Sequence, residues 1–308
     1  MSAWINLIDI VGYLESQGYD FEVEGEIDKV RNFASIKCVE PNCMYFFTGK
    51  NLPSNISLSI VFVLKSYANP SPNNTLIKVE HPQLLFYKLM NAYYPKVLKG
   101  ISKTAVISEK SILPNNLEVG NFVTIGSAKI GENSIIGSNV VIHDNVTIGE
   151  NVVISDNTVI GAPGVAWVWD PATGERIRQP QIGHVYIADN VFIGSNVTIA
   201  RGSVNETTKL LSGTVLSHGT QVGHGVQIHE NVHVANNCAL AGNATLGFEC
   251  FLGAGAVVSS QVSIAAKVIV GAGAIVSKNI DVEGVTYIGM PARAIPKQNS
   301  LNGVPNRK

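Results

Sequence analysis

This sequence predicts a mainly β fold, a left-handed parallel β-helix preceded by a small α/β domain, on three observations. From Leu210 to Val276 an aliphatic residue falls on every sixth position without a break. The same step runs from Ile130 to Ile160 and from Ile187 to Ile199. The residue after each is usually small, as at Gly131, Gly137, Gly149, Gly194, Gly223, Gly247, Gly253 and Gly271. A step of six fits neither a helix nor an amphipathic strand, and it is the hexapeptide signature of a parallel β-helix. Three hexads close one triangular coil, so residues six apart lie on adjacent faces and residues eighteen apart stack.

The elements follow in chain order. Residues 1–100 lack the six-step and are rich in aromatics. Asn6–Gln17 carries apolar residues at helical spacing, and Pro82–Tyr93 follows Glu80-His81 as a second helix with proline near its start. Between them, Cys43–Thr48 and Ser57–Leu64 are aromatic and β-branched, which predicts strands. Residues 101–283 hold the β-helix, whose repeat runs from about Ala105 to Val282. One excursion interrupts it at 161–186, with Pro163, Trp167, Trp169, Pro171 and Pro180. Long excursions from a solenoid usually mark its binding face; the plain alternative is a lid over apolar surface. A shorter break covers 200–209, and residues 284–308 read as a C-terminal cap and tail. Eight or nine coils at about 4.8 Å each make a prism roughly 40 Å long. Flat, uncovered faces invite self-association, so a cyclic homotrimer with sites in the clefts between prisms is expected.

Composition narrows the function. A net charge of -1 with 15% charged residues excludes the basic surface that nucleic-acid binding needs. No run of eighteen apolar residues is present, so no membrane span is expected. The segment MSAWINLIDI has no basic n-region, which points to a cytoplasmic protein. Cys38, Cys43, Cys238 and Cys250 show no metal-ligand spacing; the last two, at the fourth position of hexads, read as core.

Chemistry concentrates in LSHGTQVGHGVQIHENVHVANN at 216–237, which holds four of the seven histidines. His224 is the second residue after inward Val222 and is expected to point outward from a flat face. Stacking places Gly242 above it and Glu206 below. Histidine beside a gap left by glycine suits a general base next to a passing thioester; the plain alternative is a solvated decoration.

QVGHGVQIHENVHVANNCALAGNATLG resembles the active-site region of the UDP-3-O-acylglucosamine N-acyltransferase family of lipid A synthesis, and the family's catalytic histidine falls on His224. NTVIGAPGV at 157–165 and RQPQIGHVYIADNVFIGSNVTIARGSVNET at 178–207 resemble the segments around that family's aromatic loop. KVEHPQLLFYKLM and CMYFFTGK are similar to parts of its first domain. The resemblance implies N-acyl transfer to a nucleotide-linked amino sugar. It makes Phe46 and Tyr45 candidates for the nucleotide and residues 1–100 a candidate nucleotide-binding domain; the family's second uracil-stacking ring corresponds to Leu52. Gly225 replaces the asparagine that the family carries after its histidine. The ending, VGAGAIVSKNI and then YIGMPARAIPK, is similar to CoA-using sugar acetyltransferases and implies Lys278 or Arg293 near the CoA phosphates.

Together these predict transfer of a short or hydroxylated acyl group from acyl-CoA to the amine of a UDP- or dTDP-linked amino sugar, for surface polysaccharide or lipopolysaccharide. His224 is the expected base, with a backbone N–H near Gly242 for the oxyanion. His218 and Glu206 are candidates to orient the base or hold the sugar. Trp167, Trp169, Gly242, Gly255 and Gly273 are expected along the acyl donor, which enters from the C-terminal coils while the nucleotide enters from the N-terminal side. No metal or permanent cofactor is expected. Two alternatives stand: a donor on acyl carrier protein, and a zinc carbonic anhydrase using the His224 and His229 spacing. The second lacks a third histidine, since Ala188 occupies that place and His184 is out of register.

Overall fold

The computed structural model describes residues 4–94 and 99–295. The chain divides into two compact units, residues 1–97 and 98–308.

In the first unit, helical spacing yields the helix Leu7–Ser16, which buries Ile10 and Leu14. The helix Pro82–Tyr93 opens on proline, where no N–H is needed, and buries Leu85, Phe86 and Leu89. A five-stranded sheet has the lateral order Phe21–Glu24, Asn74–Val79, Ser59–Leu64, Cys43–Phe47 and Asn32–Phe33. Only the first pairing is antiparallel. Side chains alternate along each strand, so Met44, Ile60, Phe62 and Ile77 pack with the helices. Tyr45, Val61, Val63 and Leu76 build a separate core on the other face.

The second unit is a triangular solenoid. Its front face has nine parallel strands, from Val106–Ile107 to Ile275–Val276; its side face has seven, from Ala128–Ile130 to Ser263–Ile264. The back face has nine parallel strands, from Glu118–Val119 to Thr286–Ile288, and the antiparallel strand Arg293–Ile295 closes it as the tenth. Each coil passes from back to front to side. Pairs such as Ile136 with Ile154 and Val234 with Leu252 confirm the eighteen-residue stack. The six-step aliphatics fill one continuous core. At about 4.8 Å per coil, nine coils span roughly 40 Å. Within the cap read at 284–308, Thr286–Ile288 and Arg293–Ile295 form a hairpin, and residues 296–308 lie outside the described part.

Two features explain the hexad. Small residues follow the inward aliphatic because coils touch there: a Cβ on Gly131 would sit 2.5 Å from the Gly149 carbonyl. Coil corners need left-handed backbone, and Asn133, Asn139, Asn145, Asn151 and Asn157 supply it with φ between 55° and 62°. Cys238 and Cys250 are buried, each with its thiol on a carbonyl of the next coil, at 3.2 Å and 3.0 Å. Burial pushes the Cys238 thiol up. Among the described residues no helix is long and apolar enough to cross a membrane.

Candidate active site

Solenoid hydrogen bonding leaves an amide at the coil edges, two residues after the inward aliphatic. Among the described residues a side chain from the next coil accepts it at five of them, the weakest being Asn121 N–H to Ser138 Oγ at 3.3 Å. Ser127 N–H donates to Asp144 and Ser138 N–H to Asp156, both at 2.6 Å; Glu150 N–H reaches Asp189 at 2.8 Å. Ser195 N–H donates to Nδ1 of His218 at 2.8 Å. His218 therefore caps the preceding coil, on the back–front edge. The expectation that it supports His224 is corrected, because one hexad of separation puts the two on different edges.

His224 lies in the turn between Gln221–Val222 and Gln227–Ile228, on the front–side edge and not on a flat face as expected. Its stacked neighbour is Gly242, which has no side chain to cap its amide. The imidazole leans over that glycine instead: a Cβ on Gly242 would lie 2.6 Å from Nε2. The ring is partly exposed, yet Nδ1 is buried and has no hydrogen-bond partner among the described residues. Among the described residues the Gly242 N–H also donates to no acceptor.

Both interruptions of the repeat fall on this same edge. The excursion leaves the front strand Val159–Ala162 and returns at the side strand His184–Ile187. The shorter break, 201–206, follows on the next coil, and the two are tied: Ile182 and Gly183 N–H donate to Ser203 O at 2.9 Å and 3.0 Å. Because of this insertion Glu206 does not stack beneath His224. Its carbonyl accepts His184 N–H at 3.0 Å, and its carboxylate accepts Ser203 N–H at 3.2 Å. It makes no hydrogen bond to the imidazole, which corrects its role as an orienting group. It does border a polar cleft of 330 Å³ beside Gly225, with Lys209, Gln227 and Asn243.

The remaining predicted residues separate. Trp167 and Trp169 lie on a two-stranded hairpin, Trp167–Trp169 against Arg176–Arg178, and both rings are exposed, with Arg176 stacked 5.0 Å over Trp167. Lys278 is exposed on the His224 edge, three coils nearer the C-terminus. Arg293 is exposed in the strand closing the back face. Gly255 and Gly273 lie on the back–front edge, where φ of +71° and +66° accounts for them. The expected single path along Gly242, Gly255 and Gly273 is corrected, since the last two share no edge with His224. His229 stands at the opposite end of the side strand Gln227–Ile228 from His224, and the described residues hold no group of three or more His, Cys, Asp or Glu suited to a metal.

In the first unit Tyr45 is fully buried, its hydroxyl donating to Glu40 O at 2.6 Å. Its assignment to the nucleotide is corrected: neighbours on a strand face opposite sides, and only Phe46 faces outward enough to serve. Phe46 lines a 570 Å³ groove with Phe33, Lys37, Phe86 and Tyr87, and its ring stands 5.8 Å from that of Tyr87 at 74°. Leu52 packs in the core on Tyr45's side instead.

Sequence reasoning missed Tyr87, and on the His224 edge it missed His143 and Arg201. Burial, reinforced by the Arg201 cation, holds the His143 imidazole below the usual histidine range. Counting eighteen back from Gly161, where the excursion begins, reaches His143, so the period itself held the signal.

Comparison with known proteins bears on the fold. Residues 127–162 match the family model described as bacterial transferase hexapeptide (six repeats), and 244–278 match the hexapeptide repeat of succinyl-transferase. Similar solved structures include UDP-N-acetylglucosamine O-acyltransferase (LpxA) of Moraxella catarrhalis, 23% identical with a TM-score of 0.58 over 63% of this chain and 73% of that one. The UDP-N-acetylglucosamine acyltransferase of Francisella novicida is 24% identical, with a TM-score of 0.57 over 64% and 69%. LpxA of Acinetobacter baumannii is 23% identical, with a TM-score of 0.58 over 63% and 73%. No curated protein matches the chain. The solved structures share the left-handed β-helix.

Proposed function

We propose that this protein transfers an acyl group from a CoA thioester to the amine of a nucleotide-linked amino sugar, with His224 as general base. One observation carries the reading: His224 is a partly buried imidazole with an unpartnered Nδ1, set over Gly242. A buried polar atom without a partner costs about 1–3 kcal/mol, a cost that catalytic groups carry, and it leaves Nε2, over Gly242, as the nitrogen that meets the substrate. The attacking amine forms a bond to the thioester carbonyl, and the carbonyl electrons move to oxygen. His224 takes the amine proton, the unengaged Gly242 N–H faces the developing oxyanion, and collapse expels the CoA thiolate. One such donor contributes about 3–4 kcal/mol.

Support for the acceptor comes from the cleft beside Gly225. Amides suit sugar hydroxyls, and the Glu206 carboxylate suits an ammonium. Taken by itself, the first unit offers an aromatic seat for a nucleobase at Phe46 and Tyr87. Lys278, on the His224 edge toward the C-terminal coils, suits a CoA phosphate. Ile135, Val153, Phe192, Val215, Phe251 and Ile269 make the outward row of the back face mostly apolar, with His233 between Val215 and Phe251 and Glu118 at its start, which supports self-association into a trimer.

A second reading is O-acylation of a sugar hydroxyl, because the similar solved structures are described as acyltransferases, one as an O-acyltransferase, of UDP-N-acetylglucosamine. Incubating the protein with acetyl-CoA or 3-hydroxyacyl-CoA and matched amino and hydroxy nucleotide sugars, then weighing products, decides. Mass gained only on amino sugars is expected; gain only on hydroxy sugars overturns N-acylation.

A further inference from the structure

We propose that Arg201 and His143, which flank the bulge at Gly161, bind the diphosphate of the acceptor; this rests on the nucleotide-sugar reading above. The front face is regular except at one place. Ile160 pairs Ile199, but Ala162 pairs Ala200, so Gly161 is an extra residue, with φ +82°. Bulges are rare in parallel sheets and cluster beside active sites. Here the bulge turns the Gly161 carbonyl to Arg201, whose Nε donates to it at 2.7 Å, while Arg201 N–H donates to Ala162 O at 3.0 Å.

That tether fixes the stem of the guanidinium and leaves its terminal amino groups. No carboxylate pairs with Arg201 among the described residues. A fixed, unpaired guanidinium is the side chain best matched to a phosphate. From the other side His143 reaches the same glycine: a Cβ on Gly161 would lie 3.2 Å from His143 Cβ. The His143 ring makes no hydrogen bond among the described residues. The neighbouring carboxylate of Asp144 is engaged elsewhere, on Ser127 N–H. Arg178 adds a second cation at the loop base, its Nη2 at 3.5 Å from Gly164 O.

Placement relative to the chemistry agrees. Ile199 pairs Val222, so the coil that carries Arg201 adjoins the coil that carries His224, about 4.8 Å along the axis. A diphosphate on Arg201 sets the sugar attached to it at the level of the imidazole.

The test uses inorganic pyrophosphate, UDP and UDP-sugar on the intact protein. Adding pyrophosphate or UDP should move the titration of the His143 imidazole, followed by NMR, to higher pH, because a nearby anion favours the charged ring. Arg201→Gln should weaken UDP and pyrophosphate binding by about tenfold or more and raise KM for the nucleotide sugar, with kcat and KM for acyl-CoA little changed. Arg201→Lys keeps the cation but loses the Gly161 tether, and should restore part of the binding. If Lys binds no better than Gln, the loss belongs to the tether and the proposal falls. It falls equally if UDP binds Arg201→Gln as well as wild type, or leaves His143 unmoved, while sugar acylation persists; then the enzymatic reading survives alone. Pyrophosphate binding that needs Arg201, in a protein that acylates no nucleotide sugar, leaves the anion site standing and removes the reading.

Discussion

Two histidines six residues apart, His218 and His224, occupy equivalent positions on neighbouring edges of one coil and do opposite things. On the back–front edge the repeat is unbroken, and His218 satisfies the Ser195 amide as Asp156 satisfies that of Ser138. The front–side edge is broken by two insertions. There, among the described residues, His224 caps nothing: its Nδ1 is buried without a partner and its Nε2 sits over a glycine. The lesson is that an identical residue at an identical step is structural where its neighbours are regular, and available for chemistry where they are not.

The sharpest way to break this contrast is to remove each histidine in turn. His224→Asn should lower kcat by about 10²–10⁴-fold with the melting temperature held, as expected for loss of a base. Steady-state kinetics beside a thermal melt reads both, and a loss under about fivefold ends the base assignment. Gly242→Ala comes next. Its methyl meets Nε2 at 2.6 Å and must displace the ring, so a loss of about tenfold to a hundredfold in kcat is expected. The same change at Gly255, where a Cβ meets nothing within 4 Å, should leave kcat within about twofold, its cost being backbone strain.

Trp167→Ala and Trp169→Ala should raise KM for acyl-CoA by about three- to tenfold while sparing the sugar nucleotide. Tryptophan fluorescence unchanged by acyl-CoA in wild type would remove the hairpin from the donor site. The smallest effect belongs to the regular edge. His218→Ala leaves an amide unpaired, costs about 1 kcal/mol, and should lower Tm by about 2–4 °C with activity intact.

Acid should separate the edges too. The His143 pKa is depressed in the folded state, so its contribution is present above the ordinary histidine value of about 6.5 and fades as pH falls through the folded one. Urea midpoints that decline less below that pH in His143→Asn than in wild type would bear this out.

Much of this was legible in the chain. Period six gave the prism because inward aliphatics recur with the coil, and glycine or asparagine marks where coils touch or turn. The place of His224 over Gly242 was legible because residues eighteen apart stack. Glu206 was misplaced because counting by eighteen fails across an insertion, whose length adds to the chain and not to the stack. His218 was misjudged because amide capping leaves no periodic trace. Tyr45 and Phe46 look alike in sequence, and only strand alternation decides which one a ligand can meet.

The insertions also carry a consequence for how such a protein changes. Ile148 still pairs Ile187 across the excursion, and Ile199 still pairs Val222 across the shorter break. The ladder closes as though nothing had been added, because each coil senses only its neighbours. That edge is in effect a socket: segments of different length can be exchanged there while the aliphatic stack beneath is inherited untouched. Substrate choice can then drift quickly on a scaffold that hardly changes, and grafting a foreign loop between Gly161 and Gly183 is the natural way to redirect it.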